Sequence, residues 1–488
     1  MTAQRTCKHL THRPACSRKD GSASKPALSK MAALVFVFCA ATALASPATV
    51  TFKSLVSFDG TNGAAPRYMS LIQGVDGNFY GTTAVDGANG HGTVFKITPA
   101  GTLTTIYSFC AQSNCTDGIY PYAGLAQDTK GNFYGTTSAG GANGDGTVFK
   151  ITRAGVLTTL HSFDSTDGAA PYAGLLLASD GKFYGTTESG GANNDGTIFN
   201  ITPTGTLTTL HSFDSTDGSS PYGGLVQDSK GNFYGTTVTG GADGHGTVFQ
   251  LTSGGTLSTL HSFNSTDGEF PYAGLVQDTK GNFYGTTYDG GTAGDGTAFE
   301  ITAAGTLTTI YNFCSQTNCS DGSTPEDGLV QGTDGNFYGT TAFGGTNGYG
   351  TLFALTKGGT LTTLHRFDST DGANPVGGLF QATSGTFYGT TYEGGTNQDG
   401  TVFSLGVGLK PFVATVPISG KVGAAVIILG TNLTGSTEVT FNGKSAKFKV
   451  ISKSEIKTTV PVGARTGTVE VKTPKATFKS NVAFRVIK

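Results

Sequence analysis

Short apolar and aromatic runs, separated by turn residues, fill most of this chain. In one stretch the runs cover residues 171–178, 183–187, 196–202 and 206–213, and Asp-Gly, Asn-Asp-Gly and Pro-x-Gly sequences lie between them. Thr, Val, Ile, Phe and Tyr occupy the runs and favour β-strands, whereas Gly, Asp, Asn and Pro favour turns. The pattern predicts four short strands joined by tight turns.

This four-strand unit is repeated seven times along the chain. The marker Phe-Tyr-Gly-Thr-Thr recurs every 50 residues, except for two intervals of 54 that each contain a Cys-x4-Cys insertion. Repeated four-stranded antiparallel units are typical of a β-propeller, whose blades surround a central channel. We therefore predict an all-β protein in which residues 46–409 form a seven-bladed propeller. The markers begin at Phe79, Phe133, Phe183, Phe233, Phe283, Phe337 and Phe387.

The two ends of the repeat array complement each other. The last unit stops after its third run, at residues 401–405, while residues 51–58 match the fourth runs of the other units. Pairing of these segments would close the ring and leave no long unpaired strand edge. We predict that the N-terminal strand completes the last blade.

The segments that flank the propeller have a different composition. Residues 1–45 contain seven basic residues and one acid, then an apolar run at 32–44 that is shorter than the roughly 20 residues of a membrane span. We predict a signal peptide there, and a secreted or cell-surface mature chain without a transmembrane segment. Residues 410–488 alternate apolar and polar positions over seven short runs, which predicts an immunoglobulin-like β-sandwich.

Composition and charge exclude several classes of protein. The 75 Gly and the 13% of charged residues argue against a helical protein, and the Gly residues lack the strict period of collagen. Residues 46–409 carry 11 basic and 29 acidic residues, whereas residues 410–488 carry 13 basic and 3 acidic. The acidic body argues against nucleic-acid binding. The basic C-terminal segment either contacts an anionic envelope polymer or presents a solvated surface.

Two family resemblances follow from these motifs. The sequences G-N-F-Y-G-T-T, G-G-A-N-x-D-G-T-x-F and L-T-T-L-H-S-F resemble the Gloeo/Verruco tandem repeats of exported choice-of-anchor bacterial proteins, over residues 51–405. That resemblance implies a propeller and brings no catalytic residues. Segments 423–433, 437–443, 460–464 and 467–471 resemble an IPT/TIG domain, which implies a non-catalytic spacer or contact module.

Four cysteines lie in the repeats, as Cys110 with Cys115 and Cys314 with Cys319. In an exported chain such close pairs are interpreted as local disulfides. The alternative, a metal site, would require both pairs to converge on one ion.

The loops between strands 2 and 3 and between blades should share one face, because connections alternate between faces in a meander. These loops are long, so we expect binding residues there. A repeated Gly-Gly-x-x-x-Asp-Gly-Thr sequence offers carboxylates for calcium, but His91, His245 and Tyr349 replace the Asp in three units, which favours a turn. Calcium is the one cofactor considered, and the Asp residues are Asp145, Asp195, Asp295 and Asp399. The histidines of the fourth strands, such as His161, are interpreted as packing residues.

The innermost strands begin with residues that break the sevenfold symmetry. Tyr122, Tyr172, Tyr222 and Tyr272 occupy this position in four units. Glu326 and Asp327 in unit six and Arg67 and Tyr68 in unit one lie close together once the ring is closed. Tyrosines can stack on sugar rings, and paired carboxylates can bind cations or transfer protons. The alternative is simple divergence of the terminal repeats.

These features favour a non-enzymatic protein that binds a glycan or another protein at or outside the cell surface. The first alternative is a lyase or hydrolase of polysaccharides or small cyclic compounds that uses Glu326 and Asp327. The second is a structural, adhesive matrix component. No nucleophile elbow, phosphate loop or zinc-protease motif occurs in a supporting context.

Overall fold

The computed structural model describes residues 49–487, and the predicted signal peptide lies outside them. Seven four-stranded antiparallel sheets surround a common axis, which confirms the seven-bladed propeller. Blades are numbered 1 to 7 in chain order, and strands 1 to 4 run from the axis outward. Within residues 49–487 no helix has the length and apolar character that a membrane crossing needs.

The strands occupy equivalent positions in every blade. Strand 1 is Ile72–Gln73, Ala126–Gln127, Leu176–Leu177, Val226–Gln227, Val276–Gln277, Val330–Gln331 or Phe380–Gln381. Strand 2 is Phe79–Thr83, Phe133–Thr137, Phe183–Thr187, Phe233–Thr237, Phe283–Thr287, Phe337–Thr341 or Phe387–Thr391. Strand 3 is Thr93–Ile97, Thr147–Ile151, Thr197–Ile201, Thr247–Leu251, Thr297–Ile301, Thr351–Leu355 or Thr401–Gly406. Strand 4 is Leu103–Ser108, Leu157–Ser162, Leu207–Ser212, Leu257–Ser262, Leu307–Asn312, Leu361–Arg366 or, in blade 7, Thr51–Ser57.

The N-terminal strand closes the ring as predicted. Thr51–Ser57 pairs antiparallel with Thr401–Gly406, so that Thr51 lies opposite Gly406 and Ser57 opposite Thr401. Blade 7 therefore contains three strands from the end of the array and one from its beginning. The outer edge of Thr401–Gly406 is paired, as is that of the third strand in each other blade.

The Phe-Tyr pair of strand 2 packs each blade against its neighbours. Adjacent residues of a strand point to opposite faces of the sheet, so Phe contacts one neighbouring blade and Tyr contacts the other. In all seven interfaces the Tyr ring lies against the Phe ring of the next blade, with centroids 4.0 to 4.3 Å apart. The closing interface is Tyr388 against Phe79. The same dipeptide thus contributes an aromatic pair to the core between every two neighbouring blades.

The innermost strands are shorter than the pattern predicts. In blade 3 the expected run 171–178 contains only the strand Leu176–Leu177. Near the axis neighbouring backbones approach so closely that a Cβ on Gly124 would lie 2.8 Å from the carbonyl oxygen of Ser70, and one on Gly274 2.6 Å from that of Gly224. We call this ring of close approaches the glycine neck. It comprises Ser70, Gly124, Gly174, Gly224, Gly274, Gly328 and Gly378.

The C-terminal domain is an immunoglobulin-like sandwich of two four-stranded sheets with a short two-stranded ribbon. Its core contains Val426, Ile428, Phe441, Ile456 and Phe484, all essentially buried. Alternation of these residues with polar ones gives each strand one buried face. Its strands are Ala414–Val416, Ser419–Lys421, Ala425–Leu429, Glu438–Phe441, Lys444–Ser445, Phe448–Val450, Glu455–Thr459, Val469–Lys472, Thr477–Lys479 and Arg485–Ile487.

Candidate functional site

The long loops share one face of the propeller. The loop that enters blade 2 pairs with the loop between its strands 2 and 3 through a bridge from Ile119 to Ala139, and Ala169 pairs with Ser189 in blade 3. This surface, formed by the blade-to-blade loops and the strand 2–3 loops, is called the long-loop face. The opposite surface, formed by the strand 1–2 and strand 3–4 turns, is called the short-turn face.

Five tyrosines gather where the channel opens on the long-loop face. Tyr172 and Tyr222 stack with ring centroids 4.5 Å apart, and Tyr122 lies 5.2 Å from Tyr172. Tyr272 meets Tyr222 edge-on at 5.5 Å. Tyr68 lies 6.3 Å from Tyr122 in blade 2 and 6.0 Å from Tyr222 in blade 4, so its ring leans across the opening. These five residues form the tyrosine cluster.

Arg67 and Glu326 form an ion pair beside the tyrosine cluster. Arg67 Nη2 lies 3.9 Å from Glu326 Oε2, and the guanidinium lies 4.5 Å from the ring centre of Tyr68. The side chain of Glu326 is only 12% exposed. Arg67 Nε and Glu326 Oε2 are both buried and make no hydrogen bond within the described part of the chain. The pair therefore leaves one donor and one acceptor unsatisfied at the channel mouth.

Asp327 points away from this ion pair, toward the glycine neck. The backbone N–H of Gly328 donates to Asp327 Oδ1 at 2.5 Å. Both carboxylate oxygens, at 3.2 and 3.3 Å, and Ser70 Oγ, at 2.1 Å, lie near the position that a Cβ on Gly378 would take. Burial, with a smaller contribution from Glu326, raises the pKa of Asp327 to about 7. The two adjacent acidic residues thus occupy different levels of the channel.

A second set of residues completes the mouth and was missed from the sequence. Tyr288 lies 5.5 Å from Tyr272, and the Arg67 guanidinium lies 5.3 Å from the ring centre of Tyr392. Burial raises the pKa of Glu188, whose charge in turn raises the pKa of Tyr222. Glu188, Tyr288 and Tyr392 each follow the Thr-Thr of the repeat marker, where the other blades have Ala84, Ser138, Val238 and Ala342. The residue at this position varies although the Thr-Thr before it does not, and this variability could have indicated that the position contributes to the mouth.

The phenol groups of the mouth remain protonated. Burial is the largest cause that raises the pKa of Tyr68, Tyr122, Tyr172, Tyr222 and Tyr272. Each hydroxyl can therefore donate a hydrogen bond as well as accept one. The mouth combines aromatic faces, phenol donors, buried carboxylates and one arginine.

Comparison with known families identifies the repeat. The Gloeobacter/Verrucomicrobia repeat matches residues 44–241 and 224–435, which is most of the chain. This chain belongs to the Gloeobacter/Verrucomicrobia repeat family. The IPT/TIG domain matches residues 412–486, in agreement with the sandwich. A search of the curated proteins found no match.

Two solved structures are similar to this Gloeobacter/Verrucomicrobia repeat protein over most of its length. Selenomethionine-substituted virginiamycin B lyase from Staphylococcus aureus matches with a TM-score of 0.50 and 15% identity, over 73% of this chain and 98% of that one. The extracellular domain of a putative hybrid two-component system from B. thetaiotaomicron matches with a TM-score of 0.49 and 13% identity, over 87% of this chain and 54% of that one. At such identities the likeness concerns the fold alone.

The four Asp residues considered for calcium lie apart, in the strand 2–3 loops of four different blades of this repeat protein. In all seven blades the backbone carbonyl at this position accepts a hydrogen bond of 2.8 to 3.1 Å from the next blade-to-blade loop. Because this bond does not involve the side chain, Asp, His and Tyr all suit the position. Ser165 Oγ also donates to Asp145, and Ser215 Oγ to Asp195. Calcium binding at Asp145, Asp195, Asp295 and Asp399 stays a prediction.

Both predicted disulfides are present, Cys110–Cys115 and Cys314–Cys319. Two groups of three possible metal ligands occur among residues 49–487, and each consists of one of these cysteine pairs with His91 or Asp295. A sulfur in a disulfide is not a thiolate and does not ligate zinc in the usual way. The disulfides therefore serve as loop clamps on the long-loop face.

The fourth-strand histidines have partners that the sequence interpretation omitted. His161 Nε2 lies 2.7 Å from Asp167 in the following loop, and the same His–Asp contact occurs at His211, His261 and His365. In the two blades with disulfides a tyrosine replaces the histidine, and Tyr107 donates to Asp117 at 2.7 Å. Each contact holds a blade-to-blade loop against its own outer strand.

Proposed function

We propose that this protein is secreted and binds a carbohydrate at the channel mouth on the long-loop face, without turning it over. The observation that carries this proposal is the buried pair Arg67 Nε and Glu326 Oε2, which lack hydrogen-bond partners beside the tyrosine cluster. A sugar diol can satisfy both atoms, because one hydroxyl accepts from the arginine while its neighbour donates to the carboxylate. The apolar C–H face of the same ring can pack on a tyrosine.

The other polar groups of the mouth support the same ligand class. Protonated phenols donate to ring and hydroxyl oxygens, and Glu188 supplies a second, half-buried carboxylate near Tyr172 and Tyr222. The opening thus presents both acceptors and donors. A neutral, hydroxyl-rich ligand uses both kinds, whereas a small anion would use only the donors.

A second contact with the cell envelope is proposed for the C-terminal domain. All its described lysines are exposed, and ion pairs occur only from Lys457 to Glu455 and from Lys479 to Glu470. Lys449 lies directly opposite Lys457 in its sheet, and like charges in this position repel each other. This excess of positive charge supports binding to an anionic envelope polymer.

The test is binding of the mature chain, residues 46–488, to an array of glycans, followed by calorimetry on the best ligand. Glu326→Gln and Tyr222→Ala should each weaken binding about tenfold or more, since each removes a contact in the partly buried centre of the site. Tyr349→Ala is the matched control, because Tyr349 is exposed on the same face and outside the tyrosine cluster. Equal affinities in all three variants would place the ligand elsewhere, and no bound glycan would redirect the search to protein ligands.

A hydrolase or lyase is the second candidate, and the raised pKa of Asp327 favours it. A carboxylic acid with a pKa of about 7 can donate a proton at neutral pH. If the protein is an enzyme, incubation with the bound polymer should release short products, and Asp327→Asn should abolish their release while binding persists. No product after long incubation with the intact protein would reject this candidate.

A further inference from the structure

The C-terminal domain packs on the short-turn face of the propeller, at the strand 1–2 turns. Val75 of blade 1 lies in a small apolar cluster with Ile427 and Leu429. Ser454 Oγ donates to the carbonyl oxygen of Val75 at 2.9 Å. In the adjacent blade 7, the carbonyl oxygen of Thr383 accepts from the Phe412 N–H at 3.0 Å. One side of the channel opening is therefore covered.

The same domain also reaches the opposite side of the ring. Arg485, in the last strand of the domain, donates to Gln227 Oε1 at 3.0 Å and to the carbonyl oxygen of Asp228. These two residues belong to the strand 1–2 turn of blade 4 and the strand before it. Two blades separate blade 4 from blade 1 on one side of the ring, and three on the other. A domain that contacts both lies across the channel opening.

The channel is thus closed at its short-turn end. The C-terminal domain contacts blades 1 and 7 on one side of the opening and blade 4 on the other, and so spans the exit. A ligand that enters from the long-loop face must leave by the same route.

We infer that the mouth is a blind pocket, closed by the C-terminal domain, and that it recognises the end of a glycan chain and not an internal segment. This inference rests on the proposed carbohydrate binding. A polymer cannot pass through a closed channel, and Arg67 Nε and Glu326 Oε2, unpartnered within residues 49–487, are buried at the mouth, so a ligand must insert into the mouth to reach them. A terminal sugar can enter and place its hydroxyls against Arg67 and Glu326.

The closure can be tested without any ligand, by hydrogen exchange and mass spectrometry on the full mature chain. Arg485→Ala should increase exchange in peptides covering residues 226–232 of blade 4, with the equivalent residues 276–282 of blade 5 unchanged. Arg465→Ala is the control, because Arg465 is an exposed arginine of the same domain. The same exchange at residues 226–232 in both variants would show that the domain does not hold blade 4, and would overturn the closure.

Recognition of chain ends is tested with the polysaccharide that binds best on the array, before and after partial acid hydrolysis and size fractionation. Shortening the mean chain about tenfold multiplies the ends per gram about tenfold, so the apparent Kd by mass should fall by the same factor. An unchanged or higher apparent Kd would overturn recognition of ends while leaving carbohydrate binding intact. If neither the polymer nor its fragments bind, the proposed function fails together with this inference, whatever the exchange experiment shows about the closure.

Discussion

The interior of the blades and the mouth of the channel use the same repeat in opposite ways. Between blades, Phe-Tyr-Gly-Thr-Thr is identical in all seven copies, since every copy meets a neighbour like itself. At the mouth, each copy contributes single residues to one shared space. The copies differ in residue type there, as the presence of Arg67, Tyr222 and Glu326 shows. Repetition builds the scaffold, whereas departures from the repeat can build a site. Stability and ligand recognition should therefore respond to different mutations.

The largest loss of folding stability is expected from a mutation in the core between two blades. Phe183 is fully buried and its ring centroid lies 4.1 Å from that of Tyr134 in the preceding blade. Phe183→Ala should lower the free energy of unfolding by about 3 to 5 kcal/mol, measured by chemical denaturation, because it leaves a cavity between two blades. Phe343→Ala is the control, since Phe343 is 42% exposed. Similar losses in both variants would contradict the division between interior and surface.

Asp327, which lies below the mouth, tests whether a buried carboxyl group of the channel lowers the stability of the fold. Its pKa in the folded protein, about 7, is above that of an unfolded chain, so the folded state holds the proton more tightly. The stability due to this proton is complete below about pH 4 and is lost as the pH rises to about 7. Asp327→Asn should therefore match the wild type in acid and exceed it at alkaline pH by about 4 kcal/mol, since each pKa unit corresponds to about 1.4 kcal/mol.

The measurement is chemical denaturation of both proteins across this pH range. Asp243→Asn, on an exposed loop, controls for the loss of one negative charge. The stability difference between Asp327→Asn and the wild type should grow with pH. If it does not, or if Asp243→Asn shows the same difference, the pKa of Asp327 is not raised in the folded protein.

A smaller effect is expected from the disulfides, which lie on the variable face but clamp the scaffold. The Cys110–Cys115 bond closes a loop of only five residue steps. Replacing both cysteines by Ser should cost about 2 kcal/mol, because a short loop loses little entropy when it is closed. The equivalent change at Cys314 and Cys319 is the matched comparison. A loss as large as that of Phe183→Ala would show that this loop supports the blades themselves.

The sequence was sufficient for the scaffold because spacing alone determines it. The 50-residue period, the missing fourth strand and the match of residues 51–58 to other outer strands predicted seven blades and their closure. The predicted length of strand 1 was wrong, because the actual length depends on how closely the backbones of neighbouring blades approach at the axis. That approach is a property of the assembled ring, and a single repeat does not reveal it.

The site was only partly predictable for a related reason. Arg67, Tyr222 and Glu326 each follow a proline at the start of an innermost strand segment, so comparison of that position pointed to them. Tyr288 reaches the mouth from the end of a different strand, 16 residues after Tyr272, and only the folded blade brings the two together. Likewise, no pattern in the sequence indicated that Arg485 would reach blade 4.

Closure of the ring by the first strand also means that this strand must wait for its partner during synthesis of the chain. Thr51–Ser57 is made early, but its partner Thr401–Gly406 emerges roughly 350 residues later, which at about 5 to 20 residues per second takes roughly 20 to 70 seconds. During that time the early strand has backbone donors and acceptors without a native partner. It is therefore the element most open to exchange between nascent chains, in which one molecule's first strand completes another molecule's last blade.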